Sequence, residues 1–380
     1  MEYLIIGAGI GGLTLALAFE EKGIDYKVYE RFSKIKSAGA GIWLAPNALQ
    51  VFEELNVLDE IKSKGNSIDR ITIGNPDLTA ISDNDQQFVK SEYGYSAIAI
   101  HRTELQKILF DKIPAAKIHL GKAFETYVTS ENKVIVNFAD GSSAGGDYLV
   151  GADGINSKVR AQLFPNSIVR YSGQTCWRGV AETVLDPAFN HHVYELWGNQ
   201  VRFGISRISE GKYYWFAVAL DVENKKDEPH KLRDKLMQMY KDFDPAVNQI
   251  ISNTPTDKVM RNDITDLKPM PKWYKNNICL IGDAGHATTP NMGQGGGQAI
   301  EDAHYLSNLQ HQSLNENIFE EFQKRREAKV NGIVKQSWMM GKMAHWKYGR
   351  GLRNLLLKSA PKKMVLKKVL EMYEIEKFSD

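Results

Sequence analysis

Cysteine is nearly absent: the 380 residues hold only Cys176 and Cys279. Two cysteines cannot build a disulfide framework, and no Cys/His pair stands at zinc-ligand spacing. A reducing, cytoplasmic setting is therefore the expectation. Net charge is also scarce. The 48 Lys+Arg against 46 Asp+Glu leave +2, without the dominant basic surface of a general nucleic-acid binder. Long apolar runs are missing as well. The uncharged stretch from Leu4 to Phe19 has 16 residues, is interrupted by Gly7, Gly9, Gly11 and Gly12, and follows Glu2 rather than Lys or Arg. It is expected to be neither a signal peptide nor a membrane span. His191-His192 has no carboxylate or cysteine at ligand spacing and reads as a loop or strand edge, while His286 is expected to hydrogen-bond locally. With no GxSxG elbow and no HExxH helix, the chemistry is expected to reside in a cofactor. What is present is ordinary: 43% hydrophobic and 25% charged residues, as in soluble globular proteins of this length with two domains, or three if one is small.

The apolar N-terminus has its own explanation. Glu2 to Ile6 reads as a buried strand, followed by Gly7-Ala-Gly9-Ile-Gly11-Gly12, a helical pattern on Leu13, Leu17 and Ala18, and a helix stop at Lys22-Gly23. A second strand from Asp25 to Tyr29 ends on Glu30, 18 residues beyond Gly12. In this context Gly7 permits a tight turn, Gly9 lets backbone approach a pyrophosphate, and Gly12 lets the helix pack closely on the sheet. Glu30 is placed to accept hydrogen bonds from a ribose, and its charge disfavours a 2′-phosphate there, so any NADPH binds elsewhere. Dinucleotide binding follows; the motif leaves NAD and FAD open.

A second strand-to-helix crossing lies near the C-terminal third. The apolar strand from Asn277 to Gly282 ends on Asp283, and Pro290 and the cluster Gly293-Gln-Gly295-Gly296-Gly297 precede a helix starting near Gln298. An anion or polarised carbonyl is expected at that helix start. A NAD dehydrogenase has no need of this site; FAD is long enough to use both. Between them, Gly151-Ala-Asp153-Gly154-Ile-Asn-Ser157-Lys-Val-Arg160 follows the strand from Asp147 to Val150.

Taken together, the GxGxxG, DG and GD motifs resemble those of the flavoprotein aromatic hydroxylases, the single-component FAD monooxygenases typified by para-hydroxybenzoate hydroxylase. Further segments resemble the salicylate hydroxylase and zeaxanthin epoxidase branch: Tyr29-Glu30-Arg31, Gly39-Ala-Gly41-Ile with Pro46-Asn47-Ala48, His101-Arg102, Cys176-Trp177-Arg178-Gly179, and Arg202-Phe203-Gly204 followed by Tyr214-Trp215-Phe216. The similarity covers roughly the first 340 residues. It implies that Glu30 binds the adenosine ribose, that Arg102 lies along the ribityl and phosphate chain, that Asp283 hydrogen-bonds the ribityl, and that Pro290 lies beside the flavin ring. It implies that amides around Gly293, Gly295 and Gly296 face the pyrimidine end, and it adds Arg31, Gly41 and Phe124 to the cofactor-binding positions. Asp153 and Arg160 belong to a motif serving FAD and the passing nicotinamide; the residues alone also allow Asp153 to tie a turn and Arg160 to be solvated. The implied reaction is hydroxylation of a small aromatic or heteroaromatic substrate by FAD, NAD(P)H and O₂ through a flavin C4a-hydroperoxide. Two alternatives stay open: a halogenase or polyprenyl reductase on the same scaffold, although the halogenase WxWxIP segment is absent, and a non-enzymatic FAD-binding module.

The expected fold is α/β: a Rossmann-like FAD-binding domain, a second substrate domain on a largely antiparallel β-sheet, and C-terminal helices. The FAD domain is expected to be discontinuous (1–72, 98–172 and 262–330), the substrate domain to span 73–97 and 173–261, and a helical segment to span 331–380. In the substrate domain, Gly173 to Val184, His192 to Trp197, Gln200 to Ile208 and Lys212 to Asp221 read as a β-meander. Its aromatics could suggest a nucleic-acid stacking platform. However, Tyr171 to Lys225 holds five Lys/Arg against six Asp/Glu, so a sheet lining an apolar pocket fits better. On one strand Val201, Phe203 and Ile205 share a face, leaving Arg202, Gly204 and Ser206 on the other. Arg202, with Tyr214 on the next strand, is the candidate for holding an anionic or electron-rich substrate; the competing reading is a solvated arginine.

Residues 341–370 hold nine basic residues and no acidic one, interleaved with Leu352, Leu355, Leu356, Leu357, Val365, Leu366, Val369 and Leu370. They read as an amphipathic helix pair packed on the body, or as a weak contact with an anionic membrane surface or partner. Without those nine, the other 350 residues carry −7. The near-neutral total conceals an acidic body and a basic tail.

Overall fold

Strand Glu2–Ile6 lies at the centre of a six-stranded sheet because its side chains are apolar on both faces, as a parallel strand covered by helices requires. The computed structural model describes residues 1–35, 40–130, 133–312, 317–359 and 361–378, without the Lys362 side chain; Gly39 lies outside the described residues. The sheet order is Tyr274–Lys275, Ile278–Leu280, Tyr148–Gly151, Glu2–Ile6, Asp25–Glu30 and Ile118–Leu120. All neighbours are parallel except the hairpin of the first two. Helix Ile10–Glu21 ends at the expected Lys22, with Gly23 left-handed at φ 65°.

A seven-stranded sheet follows the order Met260–Leu267, Val169–Glu182, Lys212–Leu220, Val201–Ser209, His192–Trp197, Arg70–Gly74 and Ala80–Asp85. It is antiparallel except where His192–Trp197 meets Arg70–Gly74. The four-strand meander needs correction. Only the last three expected strands are consecutive neighbours; Val169–Glu182 crosses to the far side and pairs with Lys212–Leu220. The strands of this sheet also straddle the expected segment boundaries, since Met260–Leu267 and the start of Val169–Glu182 belong to it.

The two faces of this sheet differ as the alternation predicts. Trp177, Phe203, Ile205 and Trp215 pack with Leu232, Leu236, Tyr240 and Ile250 from helices and loops on one side. Cys176, Arg178, Arg202, Tyr214, Phe216 and Val218 face a cavity on the other. Helices Ile318–Ala344, Arg350–Ser359 and Lys362–Tyr373 complete the chain. Among the described residues, no helix is long and apolar enough to cross a membrane.

Candidate active site

The two sheets meet at a cavity of about 640 Å³, whose wall includes residues of all three glycine motifs. Two helix N-termini open onto it. Helix Ile10–Glu21 begins at Gly9 and helix Gly295–His311 at Gln294, and neither first turn has a side-chain cap or an acidic residue. Their free amides and dipoles therefore suit an anionic or carbonyl-bearing group. The helices lie side by side because Gly11 and Gly282 both back onto Ala299: a Cβ on either would stand within 3.0 Å of the Ala299 Cβ.

The glycines divide their duties. A Cβ on Gly12 would stand 2.0 Å from the Gly7 carbonyl oxygen, and Gly7 itself has φ 109° against Ala152. Both are demanded by packing. A Cβ on Gly9 would meet nothing within 4 Å, so Gly9 keeps the cradle open towards the cavity. Gly41 lines the cavity but is required by its neighbour, since a Cβ there would stand 2.5 Å from the Tyr214 ring. Gly293 is left-handed at φ 63° and turns the chain between Pro290–Met292 and the helix that Gly295 and Gly296 begin. Pro290, Gly293, Gly295 and Gly296 all border the cavity.

Glu30 stands at the end of its strand beside the first turn, where its two oxygens accept from the amides of Ala8 (2.8 Å) and Phe32 (3.0 Å). Asp153 does tie a turn: Oδ2 accepts from the amides of Lys158 and Val159, while Oδ1 is buried without a hydrogen-bond partner among the described residues. Burial raises its pKa against those two amides. Arg160 is buried, not solvated. It donates to the carbonyls of Ala284 (3.1 Å) and Ile155 (2.5 Å), joining the DG segment to the GD turn. Gly7, Gly12, Glu30, Asp153, Phe124 and Arg31 stand outside the cavity wall itself. Phe124 is buried in the core beside Val134, Val136 and Phe138, and Arg31 is exposed with its guanidinium 4.7 Å over the Phe32 ring.

Arg102 and Asp283 face the cavity together. Both side chains are open to it yet surrounded by protein. Burial lowers the pKa of Arg102 and raises that of Asp283, while each one's charge opposes the shift of the other. Asp283 also borders the second helix start, with Oδ1 3.8 Å from where a Gly295 Cβ would be.

On the sheet, Arg202 is buried rather than solvated, at 2% exposure. It pairs with Glu195 at 2.9 Å and donates to Asn291 (2.7 Å) and Gln174 (3.3 Å). Tyr214 is buried, its pKa raised by desolvation against the pull of Arg178 and Arg102. Arg178 lines the same wall, donates to Asn262 at 2.7 Å, and has a buried Nε without a hydrogen-bond partner among the described residues. Sequence reasoning gave Arg178 no role, although strand alternation from Trp177 would have set it on the cavity face. Glu195 and Asn291 were missed because nothing local marks them.

Behind the second helix start lies a buried charge network. Asp302 accepts from the Gly282 amide (2.8 Å), His286 Nε2 (2.6 Å) and Arg326 Nε (2.9 Å). Burial alone would raise Asp302; His286 and Arg326 instead hold it down at about 2. Arg326 also pairs with Glu301, which accepts from Lys329 and from Asn47, and Asn47 reaches Gln294 at the cavity edge. His286, expected to hydrogen-bond locally, instead reaches Asp302 on the helix Gly295–His311 and ties the GD turn to it.

Two helix N-termini, an open glycine cradle, an orphaned Asp153 oxygen and the Arg102–Asp283 pair suit a long dinucleotide carrying phosphates, hydroxyls and a carbonyl-bearing ring. Fold and cavity thus define a flavoprotein oxidoreductase. Residues 1–337 match the family described as FAD binding domain, and the chain belongs to the FAD-dependent monooxygenases of the aromatic hydroxylase family. It is 38% identical over 347 residues to aurachin C monooxygenase/isomerase of Stigmatella aurantiaca, covering 91% of this chain and 90% of that one. It is 33% identical over 369 residues to 2-heptyl-3-hydroxy-4(1H)-quinolone synthase of Pseudomonas aeruginosa, covering 95% and 94%. The crystal structure of Klebsiella pneumoniae HpxO complexed with FAD and uric acid superposes with a TM-score of 0.90 at 26% identity, covering 98% and 96% of the two chains.

Proposed function

We propose that this monooxygenase hydroxylates a heteroaromatic ring bearing an apolar substituent, with NAD(P)H as electron donor and O₂ as oxygen donor, in the cytoplasm. The observation that carries this reading is a cavity joining the three cofactor motifs to a sheet wall on which Ile71, Ile73, Phe216, Val218, Met260 and Ile264 surround a polar group of Arg178, Glu195, Arg202, Tyr214 and Asn262. The name of one relative describes a 3-hydroxylated quinolone with a seven-carbon chain, which is a ring with a carbonyl and a greasy tail. Ile68, Ile71, Ile73, Phe216, Val218 and Met260 would take such a tail.

FAD, when bound, would supply the redox chemistry, hydride acceptance and dioxygen activation, that none of the chain's own side chains offers. The chain's own residues bind and orient. Amides at Gly9 and at Gly295–Gly296, with Arg102, Asp153, Glu30 and Asp283, would hold the cofactor. Arg178, Arg202 and Tyr214 would hold the ring's polar edge, and the apolar wall would keep water from the reacting carbon. We read 1–72, 98–172 and 262–330 as the cofactor part and 73–97 and 173–261 as the substrate part, a division supported by the separate sheets despite the strands that straddle it.

The test is NADH and NADPH consumption across 2-alkyl-4(1H)-quinolones, urate and salicylate, with mass spectrometry of each product. An alkylquinolone product gaining one oxygen atom supports the reading. Turnover confined to urate or salicylate overturns the substrate class.

A further inference from the structure

Helix Arg350–Ser359 is mounted with its apolar side outward. Leu352, Leu355 and Leu356 are 60%, 61% and 58% exposed, and their i, i+3, i+4 spacing makes them one stripe. The inward side is held by a charge instead. Arg353 is 2% exposed, stacks 4.8 Å over the Trp197 ring and donates to the Ala344 carbonyl at 2.9 Å. Asn354 reaches Asn75, and Leu357 packs towards Trp197 and Ile81. Turning the leucines inward would pull Arg353 out of this socket.

The flanks carry the same character. Trp346 and Tyr348 just before the helix are 43% and 79% exposed, and Met364 on the next helix is 51% exposed. Lys342, Lys347, Arg350, Lys358, Lys363, Lys367 and Lys368 are exposed around them, in a stretch without one acidic residue. Interfacial aromatics, an outward leucine stripe and surrounding lysines are the features of a segment lying in the headgroup region. The rest of the chain is net acidic, so an anionic surface would attract this segment and repel the body, which sets the docking orientation.

We propose that the C-terminal helix pair docks the enzyme on an anionic lipid surface, with Leu352, Leu355 and Leu356 entering the apolar boundary. The segment is also firmly tied to the body. Tyr373 is buried and borders the cavity, Lys329 donates to the Glu374 carbonyl at 2.6 Å, and the Glu376 amide donates to Tyr305 at 3.0 Å. Docked face and cavity wall therefore belong to one piece of chain.

The FAD-loaded enzyme is sedimented with vesicles of phosphatidylcholine containing about one-third phosphatidylglycerol, and with phosphatidylcholine alone. Co-sedimentation should be at least about tenfold greater on the anionic vesicles and should fall with salt. The double variant Leu355→Asp/Leu356→Asp should lose it while keeping flavin content and melting temperature. Lys363→Glu/Lys367→Glu/Lys368→Glu, which leaves the leucines intact, should weaken it as well. Absence of binding by the intact enzyme, equal binding to neutral vesicles, or a dimer in light scattering that the leucine variant dissolves would each overturn the proposal.

Discussion

Arg202 donates to the Asn291 side chain across 2.7 Å, linking the seven-stranded sheet to the turn that follows Asp283. Asn291 is itself held, donating to Thr289 Oγ1 and to the Ser337 carbonyl, both at 2.9 Å. The helix Ile318–Ala344 can come this close because of Gly341, whose Cβ would stand 2.5 Å from Asn291 Nδ2. The guanidinium orientation is thus set by three separate parts of the chain.

Arg202→Lys keeps the charge but loses the fork that reaches Glu195 and Asn291 together. Flavin content should stay unchanged while kcat/KM for the substrate falls by about tenfold to a hundredfold, a loss of about 1.4–2.8 kcal/mol. Steady-state kinetics beside the flavin absorbance spectrum check this; unchanged kinetics would remove Arg202 from the site.

Gly9→Ala and Gly12→Ala should separate cofactor binding from folding. At Gly9 the added methyl meets only open space, so the apo melting temperature should hold while FAD affinity drops by at least about tenfold. At Gly12 it meets the Gly7 carbonyl, so stability itself should fall by more than about 2 kcal/mol. FAD titration and thermal melts of both apo-proteins distinguish the two effects.

Arg326→Met should leave buried Glu301 with only Lys329 and buried Asp302 with only His286 as charged partners, at a cost of about 3–5 kcal/mol. Urea unfolding gives the number. Restoring stability in Arg326→Met/Glu301→Gln/Asp302→Asn would show that the carboxylates, rather than lost volume, cause the defect.

His345 is pressed down to about 4 by burial and by the nearby Arg202 and Arg353 cations. Its folded pKa lies below the unfolded value of 6.5, so the unfolded chain binds the extra proton first. Stability should therefore be fully present above pH 6.5 and fall towards pH 4, with this group contributing up to about 3 kcal/mol of the loss. His345→Gln should show a shallower decline over that window in denaturant midpoints; an equal slope would contradict the assignment.

Much of the site was legible in the sequence because its logic is local. Gly7, Gly9 and Gly12 act within one turn, and the DG and GD segments each combine a strand end with a turn. Alternation along Val201–Ser209 separated Arg202 from Phe203 correctly, since a pleated strand leaves a side chain no other choice of face. Phe124 and Arg31, carried over by resemblance, stand in the core and at an exposed position beside Phe32. The path of Val169–Glu182 was missed because pairing partners are chosen across the fold, not along the chain.

The sequence by itself determined the first glycine turn, the presence of a second strand-to-helix crossing (its helix begins at Gly295 rather than near Gln298), the two-faced sheet and the segregation of charge, all of which follow from steric limits, periodicity and counting. Only the tertiary structure decided that Arg202 is neutralised by Glu195 and aimed by Asn291, that Arg160 braces the GD turn, and that the leucines of Arg350–Ser359 face outward. Those outcomes depend on which distant groups compete for one buried place. Arg353 took the socket on Trp197, and the apolar stripe was left outside.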